Sequence, residues 1–477
     1  MIVALLRRAP VLASLTALAA CSMTPNYRPP ASPDAAAFKE AEGWIQATPM
    51  DEAPRGAWWQ RFGDPLLDDL QARGEAASPT LAAAVARYDQ AVAIADRAGA
   101  ERLPVVSASG QAARQRFSRG RPLAGGNGGT YNDVIVGGAL DWEVDLWGRL
   151  RDAARAGRAE AQASNADLAS ARLSLHAMIA DAYFRLRGLD AEAALLRQTS
   201  EAYARAAELT NTRHEGGIAS GLDTSRAEAQ LSDARAQLST IALDRATAEH
   251  QLAVLVGETP SAFTVAPATP RIEPLAMPAG TPAELLQRRP DIAAAERRVA
   301  SANARIGVAR AAWFPSLTLG LSGGYEAARG NLLSASNGFW ALGPLSAVAT
   351  IFDGGRRAAD VRRARAEFDE AAADYRGVVL GSFREVEDNI AAARHLATAE
   401  KEQEDAARAA GRTRELALTR YHDGASDYLE VVVAQTAALD AERLALILHT
   451  RRLQANVALI RALGGGITAE QAVEPYR

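Results

Sequence analysis

The chain has few side chains suited to catalysis: six histidines and one cysteine. His176, His214, His250, His395, His422 and His449 are scattered, without the short spacings that converge ligands on a metal. Each reads as a solvated or core histidine, so no catalytic residue and no metal site is expected. Asp353-Gly354-Gly355-Arg356 lacks the rest of a P-loop and reads as a turn from strand into helix, with glycine supplying backbone freedom. Glu385, Glu387 and Asp388 lie in a helical pattern and read as solvated or paired. Asp423, Asp427 and Glu430 flank a glycine turn, where carboxylates cap a helix start or are favoured by its dipole. Cys21 has no second cysteine to pair with. It must therefore be understood from its position rather than as half of a disulfide.

The elements that hold these residues repeat. Arg289 to Ala312 reads as a charged, alanine-rich helix that Pro315 helps to end. Leu317, Leu319, Leu321 and Tyr325 then alternate, as on a strand with one apolar face. Pro79 to Arg102 followed by Pro104 makes the same transition 211 residues earlier. A Gly-rich loop then leads to a second strand, which predicts a hairpin at 104–142 and another at 315–352. Beyond the hairpins the displacement becomes 207, carrying Gly148 onto Gly355, Gly217 onto Gly424, Leu222 onto Leu429 and Gly257 onto Gly464. The four-residue change falls within the hairpin, where loop length is cheapest to alter. Register kept at the breakpoints predicts an internal duplication, each copy being short helix, hairpin, very long helix, turn and return helix. The helix from Gly148 to about Arg213 would run roughly 100 Å at 1.5 Å per residue. His214 to Asp223 makes the turn, with Asp223 or Ser220 as the cap of the returning helix.

These signals divide the chain into a signal peptide at 1–20, a tether at 21–53 and a first repeat at 54–257. A proline-rich crossover at 258–284, a second repeat at 285–464 and a tail at 465–477 follow. Trp58, Trp59 and Phe62, ahead of Leu66, Leu67 and Leu70, read as core anchors of a short helix. A net charge of -4 without basic blocks argues against nucleic acid as a partner. No run of about 20 apolar residues follows the start, so a helical membrane span is not expected. Arg7 and Arg8 precede an apolar segment ending in Leu18-Ala19-Ala20-Cys21, which reads as a secretory signal and resembles a bacterial lipobox. On that reading Cys21 carries diacylglycerol on its sulfur and an acyl chain on its amine, each buried methylene adding about 0.8 kcal/mol of anchoring. Ser22 in place of aspartate resembles the signal for transfer to the outer membrane. The segment Phe339 to Phe352 is apolar enough to face lipid, and its strand is expected to cross the bilayer. Four strands are too few to close a barrel and open edges are not tolerated in lipid, so membrane insertion would require several chains to share one barrel.

Several segments together resemble the outer-membrane efflux protein family, the TolC-like and NodT-like ducts, and especially the lipidated outer components of resistance-nodulation-division pumps. They are Cys21 with Pro25-Asn26-Tyr27 and Pro29-Pro30, Trp58-Trp59 to Asp64-Pro65-Leu66, and the block from Arg289 to Leu319. Ile351 to Arg356 and Phe383 to Asp388 complete the set. The resemblance implies a mixed α/β membrane protein, in which a trimeric twelve-stranded β-barrel with four strands per chain continues into a long α-helical periplasmic barrel. It implies a homotrimer that passively conducts drugs or small solutes, with a periplasmic adaptor, an inner-membrane pump and outer-membrane lipid as partners. It further implies an aperture near the tips, with Tyr421, Asp427 and Glu430 as candidates, and adaptor-facing turns at Gly217, Gly221, Asp223 and Gly424. Val433 stands where many relatives carry aspartate, a departure from the family's acidic run. Two other readings compete: a TolC-like duct for protein secretion, and a non-conducting periplasmic coiled-coil scaffold. The scaffold leaves both hairpins without a purpose.

Overall fold

The computed structural model describes residues 22–30, 39, 56–116, 118, 129–275, 288–328 and 330–465. Cys21, the expected signal peptide, most of the tether beyond residues 22–30 and nearly all of the tail lie outside the described residues. After a 3-10 turn at Trp58–Phe62 come α1 (Pro65–Ala77), α2 (Pro79–Ala100), β1 (Val105–Arg116), β2 (Thr130–Glu143), α3 (Arg149–Glu215) and α4 (Gly221–Leu255). Then follow α5 (Pro290–Ala311), β3 (Ser316–Ala327), a short 3-10 turn, β4 (Gly338–Val348), α6 (Arg356–His422) and α7 (Tyr428–Ala462). Four pairs of equivalent elements have equal lengths, 22 residues in α2 and α5, 12 in β1 and β3, 67 in α3 and α6, and 35 in α4 and α7, whereas β2 has 14 and β4 has 11. Gly148 and Gly355, Gly217 and Gly424, and Gly257 and Gly464 all have positive φ. Each pair therefore shares its backbone conformation as well as its register.

The chain packs as two compact units that cut across the repeats. One holds the described parts of Met1–Ala31, Arg87–Asn165 and Ala294–Arg376, and the other those of Ser32–Ala86, Ala166–Ala293 and Gly377–Arg477. The first unit contains the sheet, an antiparallel meander in the order β1-β2-β3-β4. Its register gives the sheet two unlike faces, because successive side chains alternate across a strand. One row runs Val106, Leu140, Leu321, Leu342, and the next runs Ala108, Gly138, Gly323, Trp340. On the other face the rows are Ser107, Ala139, Ser322, Ala341 and Glu143, Thr318, Ser346. Trp340 and Val106 are 80% and 77% exposed, so the apolar face has no cover among the described residues.

A register shift keeps β4 in this pattern. Leu342 and Leu345 are three residues apart and would face opposite sides of a regular strand. Leu321 pairs with Leu342 whereas Leu319 pairs with Leu345, so Gly343-Pro344 places one extra residue on β4 and returns both leucines to the apolar face. The strand then stops at Val348, short of the expected Phe352, and Ile351 and Phe352 stand exposed beyond it. Apolar character alone had extended the strand too far. Helix contacts in this unit use small residues: Ala154, Ala163 and Ala304 are fully enclosed, and Gly157 lies against the Cα of Ala95.

In the second unit, Asp64 caps α1 by accepting from the backbone of Leu66 and Leu67 at 2.9 and 3.3 Å, with Pro65 pre-set at the first helical position. Tyr183 donates to the same carboxylate. Trp58, Phe62, Leu67, Leu70, Tyr183, Phe184 and Leu252 share one core, as expected for the aromatic anchor. Trp59 stacks on His176 at 4.3 Å between ring centres. The crossover is held by charged side chains bonding its backbone. Arg245 donates to the Val265 carbonyl at 2.6 Å and Arg187 to that of Ala266 at 3.0 Å, while Asp190 accepts from the Ala268 amide at 3.2 Å. Asp190 also pairs with both arginines, so its enclosed charge is compensated on every side.

Candidate functional site

The two helical turns lie in the second unit and end α3 and α6. At the first, the Gly217 and Ile218 amides donate to the carbonyls of His214 and Arg213 at 2.9 and 2.8 Å, closing the helix end through left-handed Gly217. Ser220 is the cap of α4, and its side chain accepts from the Asp223 amide at 3.3 Å. Asp223 in turn accepts from the Ser220 amide at 3.3 Å, a reciprocal capping box. Both proposed cap residues are therefore used together. Gly221, expected in the turn, is instead the first residue of α4.

The second turn is built similarly through Gly424, but its carboxylates are deployed differently. Asp427 caps α7 and accepts from the Glu430 amide at 3.1 Å. Glu430 does not return to the cap; Arg420 donates to it at 3.0 Å. Tyr421 is the penultimate residue of α6, half-buried, with its ring 5.3 Å from that of Tyr428 in an edge-on arrangement. Tyr428 is enclosed with Ala227 and Val431, and Ala207 packs on the same cluster. Burial first, then the neighbouring tyrosines Tyr421 and Tyr203, push the Tyr428 hydroxyl up to about 12, which leaves it a neutral hydrogen-bonding group at physiological pH.

Arg213 joins the turns. Its guanidinium lies 4.8 Å from the centre of the Tyr421 ring and donates to the carbonyls of Tyr421 and His422 at 3.4 Å each. Sequence reasoning missed Arg213, Arg420 and Tyr428. A signal existed for the arginines, since both occupy the same repeat position, eight residues before Gly221 and Tyr428. The structure thus gathers Tyr421, Asp427 and Glu430 around one turn, and Gly217 with Gly221 and Asp223, the first and third residues of α4, around the other. Ile218 and Val433 are exposed apolar residues at these ends, as are the equivalent Leu222 and Leu429.

Among the described residues no group of three or more His, Cys, Asp or Glu side chains is placed to hold a metal, and no helix is long and apolar enough to cross a membrane. His176 meets Gln71 and Glu75, while His449 meets Glu400 and the Ile272 carbonyl. Both histidines join separate elements of the second unit, His176 buried and His449 half-buried.

A four-stranded sheet with an uncovered apolar face, carried on paired 67-residue helices, defines a class: channel subunits of the bacterial outer membrane. Comparison with known proteins gives the same class. The pyoverdine export outer membrane protein OpmQ of Pseudomonas aeruginosa is 35% identical over 436 residues, 89% of this chain and 90% of that protein. Outer membrane protein OprJ of the same organism is 33% identical over 94% of each. Among solved structures, the outer-membrane channel OprN superposes with a TM-score of 0.85 at 31% identity, covering 94% of this chain and 99% of that one. The open state of the Neisseria gonorrhoeae MtrE outer membrane channel gives 0.82 at 29%, over 94% and 98%. Residues 73–258 and 281–465 each match the outer membrane efflux protein family, and the chain belongs to it. The protein is an outer-membrane efflux component.

Proposed function

We propose that three copies of the chain join their sheets into a twelve-stranded barrel through the outer membrane, with their helices forming a water-filled passage into the periplasm. The observation that carries this reading is the two-faced sheet. Its apolar rows suit lipid, its Ser, Thr and acidic rows suit water, and β1 and β4 are terminal strands in the sheet order. In hydrocarbon those edges need partners, which other copies supply by closing the ring. The passage catalyses nothing. It conducts passively once a periplasmic adaptor, driven by an inner-membrane pump, engages the turns at Gly217, Gly221, Asp223 and Gly424. Exposed Ile218, Leu222 and Leu429 provide the apolar part of that contact. Tyr421, Asp427 and Glu430 form the resting aperture, and lipid on Cys21 adds a second hold on the membrane. Relatives named for pyoverdine export, toluene efflux and antibiotic efflux support small organic solutes as the cargo.

Deleting the gene and following accumulation of a fluorescent dye tests the transport reading. The expected result is higher accumulation, restored by the intact chain, together with recovery of a cross-linked species of three chains from the outer membrane. Unchanged accumulation, or a species of one chain only, would contradict it.

A further inference from the structure

The short segment that follows Cys21 has its own seat in the first unit. Ser22 donates to the carboxylate of Asp152 at 2.8 and 3.0 Å, and Asp152, fully enclosed, also accepts from Arg155 at 2.8 Å. Arg310 then donates to the Met23 carbonyl at 3.4 Å and Asn303 to the Pro25 carbonyl at 3.0 Å. Tyr27 donates to the Glu296 carboxylate and to its carbonyl, the latter at 3.3 Å. Burial first, and then the Glu296 carboxylate, hold the Tyr27 hydroxyl far above the usual range, so it remains a donor.

The seat is written in the helix at intervals of seven. Glu296, Asn303 and Arg310 recur every two turns and share one stripe of α5, while Met23, Pro25 and Tyr27 recur every second residue of the segment above it. Gly307 lies in the same stripe. A Cβ there would stand 2.1 Å from the Thr24 hydroxyl and 2.4 Å from an Asp152 oxygen, so only glycine leaves the space that the segment fills. The duplication provides a control within the chain. The positions equivalent to Asp152, Glu296, Asn303 and Gly307 are Ala359, Val85, Val92 and Asp96, which put apolar side chains in place of the three polar ones and a carboxylate in place of the space. The seat therefore belongs to one repeat junction only.

We propose that Asp152, Glu296, Asn303 and Gly307 form a receptor for the amino-terminal segment, and that it clamps the lipid-bearing residue beside the base of the sheet. Asp152 is the fourth residue of α3 and Gly307 the fifth from the end of α5, so both lie about one turn from the helix ends that adjoin strands. Cys21 immediately precedes Ser22 in the sequence. The clamp fixes that residue against the folded unit instead of leaving it on a free tether, and so sets the depth at which its acyl chains enter the leaflet. The lipid part of this inference rests on lipidation of Cys21; the clamp itself does not.

Chymotrypsin on the intact protein in detergent tests both parts, because cutting after Tyr27 releases the amino-terminal peptide for mass determination. The seated segment should resist cutting. Gly307→Ala, which fills the seat, and Ser22→Ala, which alters only the segment, should each speed release by roughly tenfold or more as the segment lifts away. Gly99→Ala, which adds a methyl where nothing lies within 4 Å, should leave the rate unchanged. Equal rates in all four proteins would overturn the clamp, and Ser22→Ala keeps it open to refutation even if Gly307→Ala folds poorly. A released peptide without acyl mass would overturn the lipid role while leaving the clamp in place.

Discussion

The two helical turns occupy equivalent positions in a duplicated chain, yet they are built to different ends. The first turn closes on itself, with Ser220 and Asp223 satisfying each other's backbone. The second leaves its equivalent of Asp223, Glu430, to an arginine, and replaces Gly221 with the enclosed Tyr428. Arg213 and Arg420 are also equivalent, but Arg420 stays within its own turn while Arg213 reaches across to Tyr421. One turn is thus a self-contained cap, whereas the other depends on its neighbour. Duplication supplies the scaffold, and divergence at three or four positions supplies a contact between the turns.

The largest test of this asymmetry is at Tyr428. Tyr428→Ala empties the cluster with Ala227 and Val431 and should cost about 3–4 kcal/mol, read as lost hydrogen-exchange protection at the second turn. Gly221→Ala, at the equivalent position, adds a methyl at ordinary contact distance from His214 and should change stability by no more than about 0.5 kcal/mol. Comparable losses at the two positions would break the comparison.

Alkali should also separate the turns. Tyr428 titrates near 12 in the folded protein against an ordinary 10.0, so the unfolded chain loses its proton first as pH rises. Stability from this group is fully present below about pH 10 and falls between roughly pH 10 and 12, by at most about 1.4 kcal/mol per unit. Tyr27, Tyr183, Tyr203 and Tyr375 are also shifted upward by burial, so tyrosinate absorbance should show several late-titrating groups; Tyr428→Phe should remove one of them and lose that part of the alkaline destabilisation. A Tyr428→Phe titration identical to that of the parent would contradict the enclosed hydroxyl.

The arginines come next. Arg213→Ala removes a cation-π contact and two long backbone hydrogen bonds, worth about 1 kcal/mol together at this partly exposed site. In single-channel recording its open fraction should rise roughly fivefold. Arg420→Ala breaks an exposed pair and a long hydrogen bond to the Ala425 carbonyl within its own turn, and should change it less than about twofold. The smallest effect is expected at Glu430→Gln, which keeps the helix and its cap. If three copies face one another at the aperture, cation preference and its pH response should both fall, and an unchanged current–voltage relation would remove Glu430 from the ring.

Much of this architecture was legible because it is punctuated locally. Gly217 and Gly424 mark turns by a backbone need that few other residues meet, and Leu317, Leu319 and Leu321 mark a strand by period alone. The features missed depend on distant partners. Nothing near Arg213 identifies Tyr421, 208 residues away, as its target, and nothing near Asp152 identifies Ser22. The end of β4 was misplaced because Ile351 and Phe352 continue an apolar run that the hydrogen-bond ladder does not follow. Composition reports which residues lipid or core would accept; backbone pairing decides where the strand stops. The stripe of Glu296, Asn303, Gly307 and Arg310 lies between these cases, since its spacing is plain in the sequence while its occupant is not.

The most direct test of the proposed channel is planar-bilayer recording of the full chain extracted from outer membranes, with the mass of the conducting species measured in the same preparation. The account predicts a species of three chains that inserts and conducts, with an open fraction that rises in Arg213→Ala and stays near its parent value in Arg420→Ala. A single-chain species that fails to insert, or a pore whose opening responds equally to both substitutions, would contradict it.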